Sequence, residues 1–287
     1  MLNNCLTHLL NQSINSPFEI IIIDNDINES ARAVFSKVSI ENINKAINLK
    51  YFVEPIQNIS LARNLAIKIS SGNLIAFIDD DEYPKSDWII NLLNEFEIRN
   101  ADGILGNVID IYPPNAPDWI RETKRLNPKG WIPGLQIKYA GGTGNLLIKK
   151  ECFLMREGPF DPSFGKTGGE DAELLNWLIS KGCRFYYCDK AITFELVEPS
   201  RIKILYQIKR AIQFGSNCSR TIVKKKGFLL GSLSIFIRIV PSSIKSILSA
   251  IKMSNSLKSF IFNLFIEYMT QVGKILYYII PNINIYK

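Results

Sequence analysis

The chain lacks any ordered set of cysteines. Its five, Cys5, Cys152, Cys183, Cys188 and Cys218, are scattered, odd in number and without paired metal-ligand spacing. That pattern excludes a disulfide framework and a zinc site, and points to a reducing, cytoplasmic compartment. No charged segment followed by an apolar stretch opens the sequence, so no export signal is read there. Internal repeats and low-complexity tracts are also missing. With 47% apolar and 21% charged residues over 287 positions, the chain can bury a substantial core, and its length suits one large domain with an appendage.

Acidic residues nearly vanish after position 200. Residues 1–200 hold 20 Lys and Arg against 26 Asp and Glu, a net −6, while 201–287 hold 14 against Glu267 alone, a net +13, and the two sum to the chain's +7. A nucleic-acid surface would interleave these bases with exposed aromatics on a recognisable fold, and that pattern is not found. Ile, Leu and Phe fill the intervals instead. The apolar stretch from Phe228 to Val240 is too short to span a bilayer. The segments beyond it place Ile244, Ile247, Leu248 and Ile251, then Phe260, Ile261, Leu264, Phe265 and Tyr268, at helical spacing among lysines. Such helices lie in the plane of a membrane interface and are drawn to anionic lipid. The alternative is that the apolar faces pack on the rest of the chain or on a partner subunit.

The first 110 residues alternate strand-like and helix-like segments, as in a parallel α/β sheet. Phe18 to Ile23 and Leu74 to Ile78 are apolar runs that read as buried strands. Met1 to Ser13 reads as an amphipathic helix with Leu2, Leu6, Leu9 and Leu10 on one face. Ser60 is placed to cap a helix ending near Gly72, and a second helix follows Pro84, turning Trp88, Leu92 and Phe96 inward. Residues 112–134 contain five prolines and two tryptophans, Trp119 and Trp131, and read as a long irregular loop; the two rings suit either a sugar or the domain itself. Beyond it, Gly141 to Lys150 reads as a turn into a strand. Glu170 to Lys181 reads as a helix closed by Gly182. Arg184 to Cys188 and Ala191 to Val197 read as two further strands.

The sharpest chemical feature is Phe77-Ile78-Asp79-Asp80-Asp81-Glu82-Tyr83-Pro84, four consecutive acids where an apolar strand ends. Ligands of open α/β sheets bind beyond the carboxyl ends of strands. Four crowded carboxylates are eased by an oxygen-seeking divalent cation, Mg²⁺ or Mn²⁺, which would in turn neutralise a diphosphate. A solvated acidic turn before a helix is the plainer alternative.

Together with Asn58-Ile59-Ser60-Leu61-Ala62-Arg63-Asn64 and Gly168-Gly169-Glu170-Asp171, that segment resembles the family 2 glycosyltransferases, in order and spacing, over roughly residues 1–200. The resemblance implies a GT-A fold, an α/β Rossmann-like and mostly parallel sheet flanked by helices, with the basic helical region 201–287 appended. It implies an inverting, metal-assisted enzyme that moves a sugar from a nucleotide-diphosphate donor to a glycan or lipid-linked acceptor. The enzyme would sit at the inner face of a membrane. By position, Asp24 would meet the nucleotide base or ribose, and Arg63 the nucleotide or its phosphates. Asp81 would hold the metal, Asp79 the ribose side and the metal, and Asp80 lies between them on the donor. Asp171 would be the catalytic base, taking a proton from the acceptor hydroxyl. Many relatives carry a histidine in the strand after that base, whereas Phe194-Glu195-Leu196-Val197-Glu198 has none and His8 is the chain's only one. The competing reading is a non-catalytic relative that binds nucleotide sugar or a partner.

Relatives of this kind also begin with a strand that precedes a helix like Met1 to Gln12. Here the helix opens the chain. The expectation is that the protein starts upstream of Met1; otherwise another segment fills the gap, or this version folds poorly and binds donor weakly.

Overall fold

The computed structural model describes residues 1–41, 47–121, 131–253 and 256–280. They group into two units, the first comprising 1–111, the described part of 126–166, and Glu170–Leu196. The second comprises the described parts of 112–125, Thr167–Gly169 and 197–287.

In the first unit the chain runs α1 (Leu2–Leu10), β1 (Phe18–Asp24), α2 (Arg32–Glu41), β2 (Ile47–Val53), α3 (Ile59–Ile69), β3 (Leu74–Ile78), β4 (Glu82–Pro84), α4 (Trp88–Arg99) and β5 (Gly103–Ile111). Apolar periodicity accounts for α1, whose Leu6 and Leu9 are buried while Leu2 and Leu10 are partly so. The cap of α3 is Asn58 rather than Ser60. Its side chain accepts from the amides of Ser60 and Leu61, a contact worth about 1 kcal/mol, while the Ser60 hydroxyl donates to the Asp161 carbonyl.

The second unit contributes α5 (Asp118–Arg121) before the first unit resumes with β6 (Asn145–Lys149), α6 (Lys150–Phe153), a 3₁₀ turn (Pro162–Phe164), α7 (Glu170–Ser180) and β7 (Phe185–Leu196). The two strands expected at 184–197 are one, and Gly182 closes α7 with φ +97°.

The architecture is α/β, but the sheet is mixed rather than mostly parallel. β1 and β2 pair in parallel, with Phe18 opposite Ile47 and Asp24 opposite Val53. The other five strands form a sheet in the order β3-β6-β5-β7-β4, in which only β5 and β7 are parallel. Gly106 marks a register shift in β5; a Cβ there would stand 2.1 Å from Asn145 Oδ1 and 2.5 Å from the Ala191 carbonyl.

Among the described residues β1 pairs with β2 alone and β3 with β6 alone. Yet both belong to one core: Cys5, Leu6 and Leu9 of α1 share a cluster with Ile20 and Ile22 of β1 and with Ala76 and Ile78 of β3. None of the five apolar residues of β3 is fully buried.

The second unit is completed by α8 (Ile204–Lys226), α9 (Phe228–Met253, with Pro241 inside it) and α10 (Leu257–Leu276). α8 and α10 meet backbone to backbone: a Cβ on Gly215 would lie 2.0 Å from the Thr270 carbonyl, and one on Gly273 2.1 Å from that of Ile212. Small and polar residues fill this interior, among them Ser216, Ser219, Ser259, Asn263 and Thr270, whereas Phe228, Leu229, Leu230, Leu233, Phe236 and Ile237 are exposed. Polarity is inverted relative to an ordinary soluble bundle. No helix among the described residues is long and apolar enough to cross a membrane.

Candidate active site

β3 ends at Ile78 and releases Asp79, Asp80 and Asp81 before β4 begins at Glu82, while α7 opens with Glu170 and Asp171. Arg63, in the second turn of α3, joins the two places. Its guanidinium donates to the Glu170 carboxylate and lies 3.5 Å from Asp79 Oδ1. The Phe160 ring centroid is 5.5 Å from its central carbon. The motif around Arg63 is fastened at both ends. Asn58 donates to the Pro162 carbonyl, and Asn64 exchanges two hydrogen bonds with the backbone of Phe160.

These acids influence one another electrostatically. Burial pushes the Asp79 carboxyl above its ordinary range; Arg63 opposes this, and the charges of Asp81, Asp171 and Asp80 reinforce it. Asp171 therefore lies close enough to act on Asp79. Burial likewise pushes Glu170 up to about 7, with the charge of Asp171 adding and Arg63 opposing. Burial, and then the charge of Asp79, carry Glu82 to about 9, while a hydrogen bond with Thr193 pulls the other way. Among the described residues, Oε2 of Glu82 and Oε2 of Glu170 have no hydrogen-bond partner. Gly144 fits between acids: a Cβ there would stand 2.4 Å from Glu82 Oε1 and 2.9 Å from Asp79 Oδ2.

Three acids share the first turn of α7, and they are used differently. Glu170 is tied to Arg63, and Glu173 is held by Arg156 at 2.6 Å. Asp171 forms no ion pair among the described residues; its Oδ1 accepts from the Ala172 amide at 2.6 Å. That leaves a half-buried carboxylate close to the Asp79 to Asp81 turn.

Asp24 stands apart. It is buried at the end of β1, where its oxygens accept from the Asp26 amide at 3.1 Å, the Ala31 amide at 2.8 Å and the Tyr51 hydroxyl at 2.6 Å. The carboxylate thus organises the loop from Asn25 to Ala31. Both loop tryptophans are packed. Trp119 lies against Phe262 with centroids 4.3 Å apart, and Trp131 donates to the Tyr139 carbonyl and tilts against Tyr187. Trp88 is core, its indole N–H bonded to Asn145 Oδ1.

The acids at the end of β3 offer oxygen donors alone, the set that Mg²⁺ or Mn²⁺ prefers. Among the described residues, no three His, Cys, Asp or Glu side chains converge closely enough to hold a metal by themselves.

The model of the glycosyl transferase family 2 matches residues 1–160, more than half of the chain. The chain belongs to that family. It is 31% identical over 207 residues to the succinoglycan biosynthesis protein ExoM of Rhizobium meliloti (strain 1021), covering 72% of this chain and 65% of that protein. It is 23% identical over 236 residues to the chondroitin synthase of Pasteurella multocida (strain Pm70), covering 70% of this chain and 24% of that enzyme. The chain thus spans just under two thirds of the first relative and about a quarter of the second. Among solved structures, S. aureus TarS 1-349 in complex with UDP-GlcNAc superposes with a TM-score of 0.53 at 14% identity, over 95% of this chain and 88% of that one. That likeness shows the GT-A fold. Within the family frame, sequence reasoning had named Asp79, Asp80, Asp81, Arg63 and Asp171 but given Glu170 and Glu82 no role. The acid next to Asp171 and the fourth of the acid run were the signals available.

Proposed function

We propose that this family 2 member is an inverting glycosyltransferase that moves a sugar from a nucleotide-diphosphate donor to a hydroxyl of a surface polysaccharide or lipid-linked glycan. The observation that carries the reading is Arg63, which contacts both Glu170 beside the candidate base and Asp79 at the candidate donor turn. A base and a donor site must be adjacent for displacement at one sugar carbon. In this reading Asp171 accepts the proton of the attacking hydroxyl on the face opposite the leaving diphosphate. Asp81, with Asp79, would hold Mg²⁺ or Mn²⁺, and Asp79 and Asp80 face the ribose and diphosphate. The cation would supply charge neutralisation for the departing diphosphate. Arg63 adds a fixed positive charge nearby, and Asp24 shapes the loop that borders the base of the nucleotide. Kinship to polysaccharide-synthesis proteins supports the acceptor class. A panel of nucleotide sugars, with nucleoside diphosphate release measured with and without Mn²⁺, tests the reading. Metal-dependent binding with no turnover on any acceptor would instead favour a non-catalytic relative.

The same reading places the chain at an anionic membrane surface on the cytoplasmic side. The exposed Phe and Leu of α9, combined with 14 basic residues against one acid over 201–287, are what a lipid interface attracts. No nucleic-acid partner is proposed.

A further inference from the structure

α8 carries buried polar side chains at Gln213, Asn217 and Arg220. Burying polar groups is costly unless they are bonded, and these have a specific target. The Asn217 amide donates to two consecutive carbonyls, Thr167 O at 2.9 Å and Gly168 O at 2.7 Å. Arg220 donates to the Thr167 hydroxyl at 2.8 Å, and Gln213 donates to Asn217 Oδ1 at 3.3 Å. Gly168 and Gly169 both have positive φ, +74° and +94°, and a Cβ on Gly169 would stand 3.2 Å from Asn217 Nδ2. Asn217 thus grips the glycine turn that comes immediately before Glu170 and Asp171 in the chain.

Two successive glycines have wide conformational freedom and do not by themselves fix the direction in which the chain leaves them. A single planar amide bonded to two adjacent carbonyls fixes the orientation of two peptide planes at once. We infer that Asn217 is a positioning residue for the reaction: through the Thr167 and Gly168 carbonyls it fixes the backbone direction of the glycine turn that leads directly into Glu170 and Asp171. The inference rests on Asp171 being the base. It also gives the basic C-terminal region a part in catalysis apart from any lipid contact. Oriented groups are sensitive to small displacement, with about 1 Å costing on the order of 10²-fold in rate.

The test compares Asn217→Asp, Asn217→Gln and Asp171→Asn in the full chain, with UDP as the binding probe and the sugar nucleotide that turns over fastest in the panel as substrate. Asn217→Asp keeps the shape but turns an oxygen toward both carbonyls. It should lower kcat at least about tenfold while UDP affinity and donor KM stay within about twofold, and Asn217→Gln should recover part of the rate. Hydrogen exchange should quicken at the amides of 168–172 in Asn217→Asp and stay unchanged in β3, a readout that needs no turnover. Wild-type kcat or unchanged exchange in Asn217→Asp, or parallel loss of kcat and UDP affinity, would overturn the inference. Undiminished turnover in Asp171→Asn would instead remove the base assignment itself.

Discussion

Arg63 and Glu170 form an ion pair almost closed to water, with 13% and 4% of their side chains exposed, although 107 residues separate them in the chain. Breaking a buried pair from one side leaves an uncompensated charge. Arg63→Ala should therefore destabilise the protein by about 3–5 kcal/mol in denaturant titration, and Glu170→Gln by less, because it keeps a hydrogen-bond acceptor and leaves Asp79 Oδ1 3.5 Å from the guanidinium. Equal losses would mean that the pair acts by packing alone.

Asp171→Asn should retain donor affinity and lose roughly 10²- to 10⁴-fold in transfer rate, the usual worth of a positioned base. Steady-state kinetics and calorimetry separate the two quantities. Asp79→Ala and Asp81→Ala should do the opposite, weakening donor binding in a manner that added Mn²⁺ partly restores. Undiminished donor binding in both would sink their assignment.

Glu82 gives the fold a pH dependence. Its carboxyl rises to about 9 in the folded chain, above the unfolded value, so the folded state holds its proton longer. The stabilisation is complete below the unfolded value and disappears as pH rises through about 9. Metal-free wild type should lose stability between pH 5 and pH 9, and Glu82→Gln should lose less. Parallel curves for the two proteins would show that Glu82 is ionised in the fold at neutral pH.

Vesicles of anionic lipid should retain the full chain, with salt weakening but not abolishing the attachment, because each basic residue at the surface contributes about 1 kcal/mol and apolar burial adds to it. Replacing Leu229, Leu230 and Leu233 by Ser should release it without unfolding the helices, since all three are exposed. A wild-type chain that ignores such vesicles would assign this face to a protein partner.

Local pattern carried much of the fold. Leu74 to Ile78 was legible because an unbroken apolar run ends in acids, and α7 because Gly182 stops it. Strand direction was not legible, since pairing joins segments far apart: β3 is antiparallel to β6, more than sixty residues later. β7 was read as two strands because Asp189 and Lys190 interrupt its apolar pattern, yet both lie within the one strand. At the site, the acid run and Asp171 stood out by type and spacing. The link from Arg63 to Glu170 did not, because each suits an exposed helix face when viewed alone. Asn217 was hidden in a tail read for charge and hydropathy, neither of which reports a buried amide.

The glycine contacts between α8 and α10 restrict which variants of this chain can exist. At Gly215 and Gly273 the next larger side chain already drives a carbon to within 2.0–2.1 Å of an opposing carbonyl, so mutation toward any other residue is closed at both places. Outward positions such as Leu229 and Phe236 touch solvent and can drift among apolar residues. Natural variation in these helices should therefore run opposite to that of a soluble domain, with small interior residues held constant and large apolar surface residues free to change.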